Sequence, residues 1–100
     1  MRTTKITIKF FAALRDITGK REEKMELEKT KTTLRDVLRR LSTQYGKDFS
    51  GYVFEEPGQD SIKQQISLMV NGQSLRNPES LNAQVRDGDV VAILPPISGG

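Results

Sequence analysis

The chain predicts an α+β fold, a mixed sheet of about four to five strands with one main helix packed on one face. Three observations lead there. Segments near both ends alternate or run apolar with β-branched residues. A central stretch carries apolar residues at helical spacing behind a capping signal. The pairs Asn71-Gly72 and Asp87-Gly88 punctuate the later apolar runs as turns. One hundred residues, 35% of them apolar, suit a single domain that buries roughly two-thirds of its unfolded surface.

Lys5-Ile6-Thr7-Ile8-Lys9-Phe10 alternates polar and apolar, as a half-buried strand with Ile6, Ile8 and Phe10 inward. Phe11 to Ile17 breaks that alternation and reads as a turn or a short helical connection closing at Gly19. Lys24-Met25-Glu26-Leu27-Glu28 alternates again, a second strand that pairs with the first as a hairpin. Thr33 with Asp36 three residues on is a capping-box pattern. Leu34, Val37, Leu38, Leu41 and Tyr45 then form one apolar helical stripe, stopped by Gly46. A partner-facing stripe would leave the sheet uncovered, so this one is core.

Residues 46–65 are irregular, with Pro57-Gly58 marking a turn. Within them Tyr52-Val53-Phe54 forms a short strand or caps the core edge. Ile66 to Val70 is a strand, followed at Asn71-Gly72 by the strongest short hairpin signal. Leu75 and Leu81 pin the next connection, in which Asn77-Pro78 starts a turn or a single helical turn. The last strand runs from Asp89 to Leu94; its near-continuous apolar run predicts burial on both faces and hence a central position. Hairpin, helix, strand, connection and central strand, in that order, make a β-grasp, the ubiquitin-like arrangement.

Pro95-Pro96 cannot extend that strand, because neither residue has an N–H to donate to a ladder. The expected organisation is therefore a domain over 1–94 and a flexible tail over 95–100. Past Pro96 only Ile97 has bulk, then Ser98, and Gly99-Gly100 lack Cβ atoms and pass through channels closed to other residues. Extended, the tail reaches roughly 20 Å. Its Gly100 carboxylate is where chemistry is expected.

The inventory excludes much else. With no cysteine and no histidine there are no disulfides, no thiolate nucleophile, no Cys- or His-ligated metal and no Ser-His-Asp triad. Little remains for an autonomous enzyme, and no metal site is expected. Asp87-Gly88-Asp89 is a turn with too few oxygen ligands for a hard cation. Gly19-Lys20 and Gly46-Lys47 lack the rest of a phosphate loop, so ATP is expected on a partner and no cofactor on this chain. The net charge of +3 comes from 16 Lys+Arg against 13 Asp+Glu, with acids interspersed and no basic run interleaved with aromatics. Neither nucleic acid nor membrane is an expected partner, and the expected location is cytoplasmic.

Four motifs in chain order carry a resemblance: Phe10-Phe11-Ala12-Ala13-Leu14-Arg15 with Gly19, Val70-Asn71-Gly72, Asp87-Gly88-Asp89-Val90-Val91, and Pro95-Pro96-Ile97-Ser98-Gly99-Gly100. Together they resemble the MoaD family, the ubiquitin-like small subunit of molybdopterin synthase, over nearly the whole chain. The long segment 46–65 is closer to longer archaeal members, including small archaeal modifiers. The resemblance implies that an E1-like, MoeB-like enzyme uses ATP to adenylate Gly100 and that a sulfur donor converts it to a thiocarboxylate. It implies delivery of that sulfur at a MoaE-like large subunit, which holds the catalytic groups. Gly99, Ser98, Ile97, Pro96 and Pro95 would line the docking tail, while Phe11 and Leu94 match an apolar docking patch or simply pack. Arg15 contacts a partner or makes a surface salt bridge. The alternative function is a modifier joined through Gly100 to lysines of target proteins.

Overall fold

The structure, a computed structural model, describes residues 3–28, 31–55, 62–63, 66–75 and 81–94. The elements are β1 (Thr4–Phe10), α1 (Ala13–Thr18), β2 (Glu22–Leu27), β3 (Thr32–Thr33), α2 (Leu34–Tyr45), α3 (Lys47–Val53), β4 (Ser67–Val70), β5 (Gln73–Leu75), β6 (Gln84–Val85) and β7 (Val90–Leu94). Five strands form one sheet in the order β2-β1-β7-β4-β5, and β3 pairs with β6 in a separate two-stranded ribbon. Only the β1/β7 pair is parallel in the large sheet. This mixed sheet with a helix packed on it is the expected β-grasp.

Alternation in β1 becomes a face. Ile6, Ile8 and Phe10 are buried, and the antiparallel register Ile6↔Met25 and Ile8↔Glu23 fixes the hairpin with β2. The capping box forms as the pattern requires: the Asp36 N–H donates to Thr33 Oγ1, and the Thr33 N–H donates back to Asp36 Oδ2 at 3.0 Å. Leu34, Val37, Leu38 and Leu41 of α2 join the sheet's inner residues in one core. Tyr45 meets Phe10 edge-on at 6.2 Å. At Asn71 and Gly72, φ values of 52° and 84° suit a type I′ turn, and the strand β5 follows where only a connection was expected.

Two expectations are corrected. Within 46–65, residues 47–53 form a helix, so of the two readings of Tyr52-Val53-Phe54 the short strand is overturned. Val53 and Phe54 lie in the core and Tyr52 packs against it, as the core-edge reading has it. Phe49 and Val53, four apart, are both fully buried, and that packing overrides the weak helix propensity of a segment containing Gly51. Phe54 is buried and bridges to Ile62. Second, β7 is central but is not buried on both faces: Val91 and Ile93 are buried, whereas Val90, Ala92 and Leu94 are half-buried. Helices cover one side of the sheet, and among the described residues no second layer covers the other. Leu81 is buried and Leu75 half-buried, as core pins. Pro57-Gly58, Asn77-Pro78 and the tail residues 95–100 lie outside the described residues.

Candidate functional site

The candidate residues that the structure describes meet at one end of the sheet. The parallel register of β1 and β7 ends with Phe10 opposite Ile93. Leu94 is the last residue of β7 and Phe11 is the first residue after β1, and Pro95 to Gly100 follow Leu94 in the chain. The pair flanks the point where the described domain ends.

The chain turns sharply after Phe11. Ala12 takes φ 53° and ψ −126°, and the Leu14 N–H donates to the Phe11 carbonyl at 3.1 Å. These are the values of a type II′ turn, with alanine where glycine is the ordinary occupant. An L-residue held there is strained by about 1–3 kcal/mol. Helix α1 begins at once and is anchored from below: Leu14 is fully buried, the Thr18 hydroxyl donates to the Leu14 carbonyl at 2.8 Å, and Gly19 closes the helix in the left-handed conformation.

That short helix carries Arg15 back over Phe11. The guanidinium carbon lies 5.6 Å from the Phe11 ring centroid, and Arg15 Nε donates to the Phe10 carbonyl at 3.1 Å. Among the described residues Arg15 makes no salt bridge. Phe11 is half-buried and Arg15 exposed, giving an apolar plate capped by a cation.

From Leu94 the open face of the sheet extends this site with residues that the sequence reading did not single out. In register beside one another lie Ala92 of β7 and Met69 of β4, with Val90 and Leu94 on the same face of β7, all half-buried. Lys9 of β1, opposite Ala92, is exposed at the border. The signal was present: Val90, Ala92 and Leu94 share one parity of the strand, and the continuous run concealed it by suggesting that both parities were covered.

A second cluster braces the site from behind. The Glu23 carboxylate accepts from the Tyr45 hydroxyl, from Gln44 Nε2 at 2.9 Å and from Lys20 Nζ at 3.2 Å. Partial burial pushes the Glu23 carboxyl up, but the hydrogen bonds from Tyr45, Gln44 and Lys20 and the Lys20 charge outweigh it and hold the group below its ordinary value. The bond to Glu23 holds Lys20 above its own. Burial, reinforced by the same carboxylate, raises Tyr45. The cluster ties the end of α2 to β2 and to the loop after α1.

Among the described residues no group of three or more His, Cys, Asp or Glu side chains is placed to hold a metal ion. Gly19 and Gly46, the glycines before Lys20 and Lys47, serve as helix C-caps. No helix among the described residues is long and apolar enough to cross a membrane.

The family model described as the ThiS family matches residues 8–100. A candidate sulfur carrier protein of Archaeoglobus fulgidus is 34% identical over 76 residues, covering 76% of this chain and 83% of that one. Among solved structures, the fold is similar to SAMP1 of Haloferax volcanii, with a TM-score of 0.80, 26% identity, and coverage of 96% of this chain and 99% of that one. It is also similar to a candidate subunit 1 of the molybdopterin converting factor of Pyrococcus furiosus, with a TM-score of 0.72, 27% identity, and coverage of 94% and 99%.

Proposed function

The chain belongs to the ThiS family, and on that premise we propose that it is a ubiquitin-like sulfur carrier that donates sulfur from a Gly100 thiocarboxylate in molybdopterin synthesis. One observation carries the reading: the central strand β7 ends at Leu94 beside the Phe11–Arg15 pair, so residues 95–100 continue from the most distinctive surface of the domain. The likeness to the molybdopterin converting factor subunit supports the pathway.

The chemistry needs no catalytic group here. A carboxylate is a poor electrophile at neutral pH. In the proposed sequence the Gly100 carboxylate oxygen attacks the α-phosphorus of ATP on an E1-like enzyme, pyrophosphate leaves, and the acyl-adenylate forms. The terminal sulfur of a persulfide donor then adds to the carbonyl carbon and AMP departs, giving an acyl disulfide. A second thiol on the donor or its enzyme, this chain having no cysteine, cleaves the S–S bond, forms a disulfide with the donor sulfur and releases the thiocarboxylate. Phe11, Leu94 and the half-buried residues Ala92 and Met69 form the apolar docking surface, and Arg15 supplies a cation for a partner's acid. Pro95, Pro96, Ile97, Ser98 and Gly99 make the thin segment that threads into the enzyme and then into a MoaE-like large subunit. ATP stays with the activating enzyme, and this chain serves as carrier and co-substrate.

The second reading, a modifier conjugated through Gly100 to lysines, has the likeness to SAMP1 in its favour, since that name denotes a small archaeal modifier protein. It uses the same activated carbonyl with a lysine amine as nucleophile. Mass spectrometry of the protein from its native cells separates the two. Replacement of one oxygen by sulfur at Gly100 is the expected result. Arg86 is the last basic residue, so trypsin leaves Asp87 to Gly100 on any modified lysine. That branched remnant without any thiocarboxylate would replace the carrier reading with the modifier.

A further inference from the structure

We propose that the turn at Ala12 is a loaded element whose strain is released when a partner with an apolar pocket and a carboxylate docks on Phe11 and Arg15. The inference rests on the reading of those two residues as docking residues. Ala12 is exposed, so no packing of its methyl group accounts for alanine at a glycine position. The strained conformation is imposed from both sides. Before it, the Phe10 N–H donates to the Arg21 carbonyl at 2.8 Å and Phe10 is locked in the ladder opposite Ile93. After it, the Arg15 N–H donates to the Ala12 carbonyl at 3.0 Å, and Arg15 Nε holds the Phe10 carbonyl across the turn.

Arg15 is therefore both the clasp of the turn and the cation offered to a partner. A carboxylate that takes the guanidinium side-on, through Nε and one Nη, withdraws the bond to the Phe10 carbonyl, and a pocket that takes the Phe11 ring removes the stack. With the clasp gone, Ala12 moves toward the ordinary φ < 0 region. Strain present in the free protein and absent from the complex adds to affinity, because only a difference between the two states biases the equilibrium.

The test measures ATP–pyrophosphate exchange by the E1-like enzyme from the native cells, with this protein as the varied substrate. Ala12→Gly removes the strain in the free state. The expected result is a Tm raised or held, a KM for this protein raised at least about five-fold, and an unchanged kcat. A stiff, unstrained D-alanine at position 12, introduced by chemical synthesis, separates strain from flexibility: Tm rises and KM rises with it. Wild-type KM in either variant overturns the proposal, since the strain is then carried into the complex. Phe11→Ala and Arg15→Ala test the underlying reading. If neither raises KM, the docking assignment itself fails; if both do while Ala12→Gly behaves as wild type, only strain release fails.

Discussion

Glu23 stands on β2 opposite Ile8, where a charged side chain would ordinarily turn to solvent, yet it gathers a tyrosine, a glutamine and a lysine around it. Its carboxyl is held below the ordinary glutamate value, so the stability it contributes is present above about pH 4.3 and is lost as pH falls through the lower folded value. Glu23→Gln retains an acceptor for Tyr45 and removes the charge. At pH 7 it is expected to lower Tm by roughly 2–4 °C, about what ~0.5 kcal/mol gives after solvent screening. The gap from wild type should close between about pH 5 and pH 3, and thermal melts across that range check it; a constant gap would show that the charge is not the source. Neither the Glu23 cluster nor the Ala12 strain was legible in the sequence. Each depends on residues brought together by register and helix ends, and no glycine marked the II′ turn.

The helix α3 is held by its packing. Its seven residues include Gly51 and have no side-chain N-cap, so alone they would not stay helical. Phe49 is fully buried and faces Tyr45 at 6.3 Å. Phe49→Ala is expected to cost about 3–5 kcal/mol, read as a fall in the urea midpoint with m unchanged. The same dependence explains why the element escaped the sequence reading: two buried residues four apart make too little periodicity to outweigh Gly, Ser and Asp around them. The elements that were legible each carried local chemistry sufficient to specify them. Thr33 and Asp36 cap α2, Asn71-Gly72 sets the β4–β5 turn, and β1 alternates cleanly. The strand β7 was legible in position and misread in burial, because an apolar run does not say whether a second layer exists. That misread face is the one proposed above for docking.

For the whole molecule, the core draws on residues from Ile6 to Ile93, and Gly99 and Gly100 have no side chain to add to it. Deleting Gly99-Gly100 is therefore expected to leave Tm and the far-UV spectrum unchanged and to abolish acyl-adenylate formation, measured by exchange with the activating enzyme. Retained exchange would remove Gly100 from the chemistry. The pairing of β7 with β1 in parallel on one side and β4 in antiparallel on the other has a mechanical consequence as well. A pull applied at Leu94 against Thr4 draws β1 and β7 in opposite directions along their length, so the ladder is loaded in shear and its bonds share the force. A pull at Leu27 against Thr4, which face each other at the open end of the hairpin, unzips one pair at a time. Single-molecule extension should give the higher rupture force for the first geometry, so a partner that draws the chain forward by its end pulls against the strongest direction of the sheet.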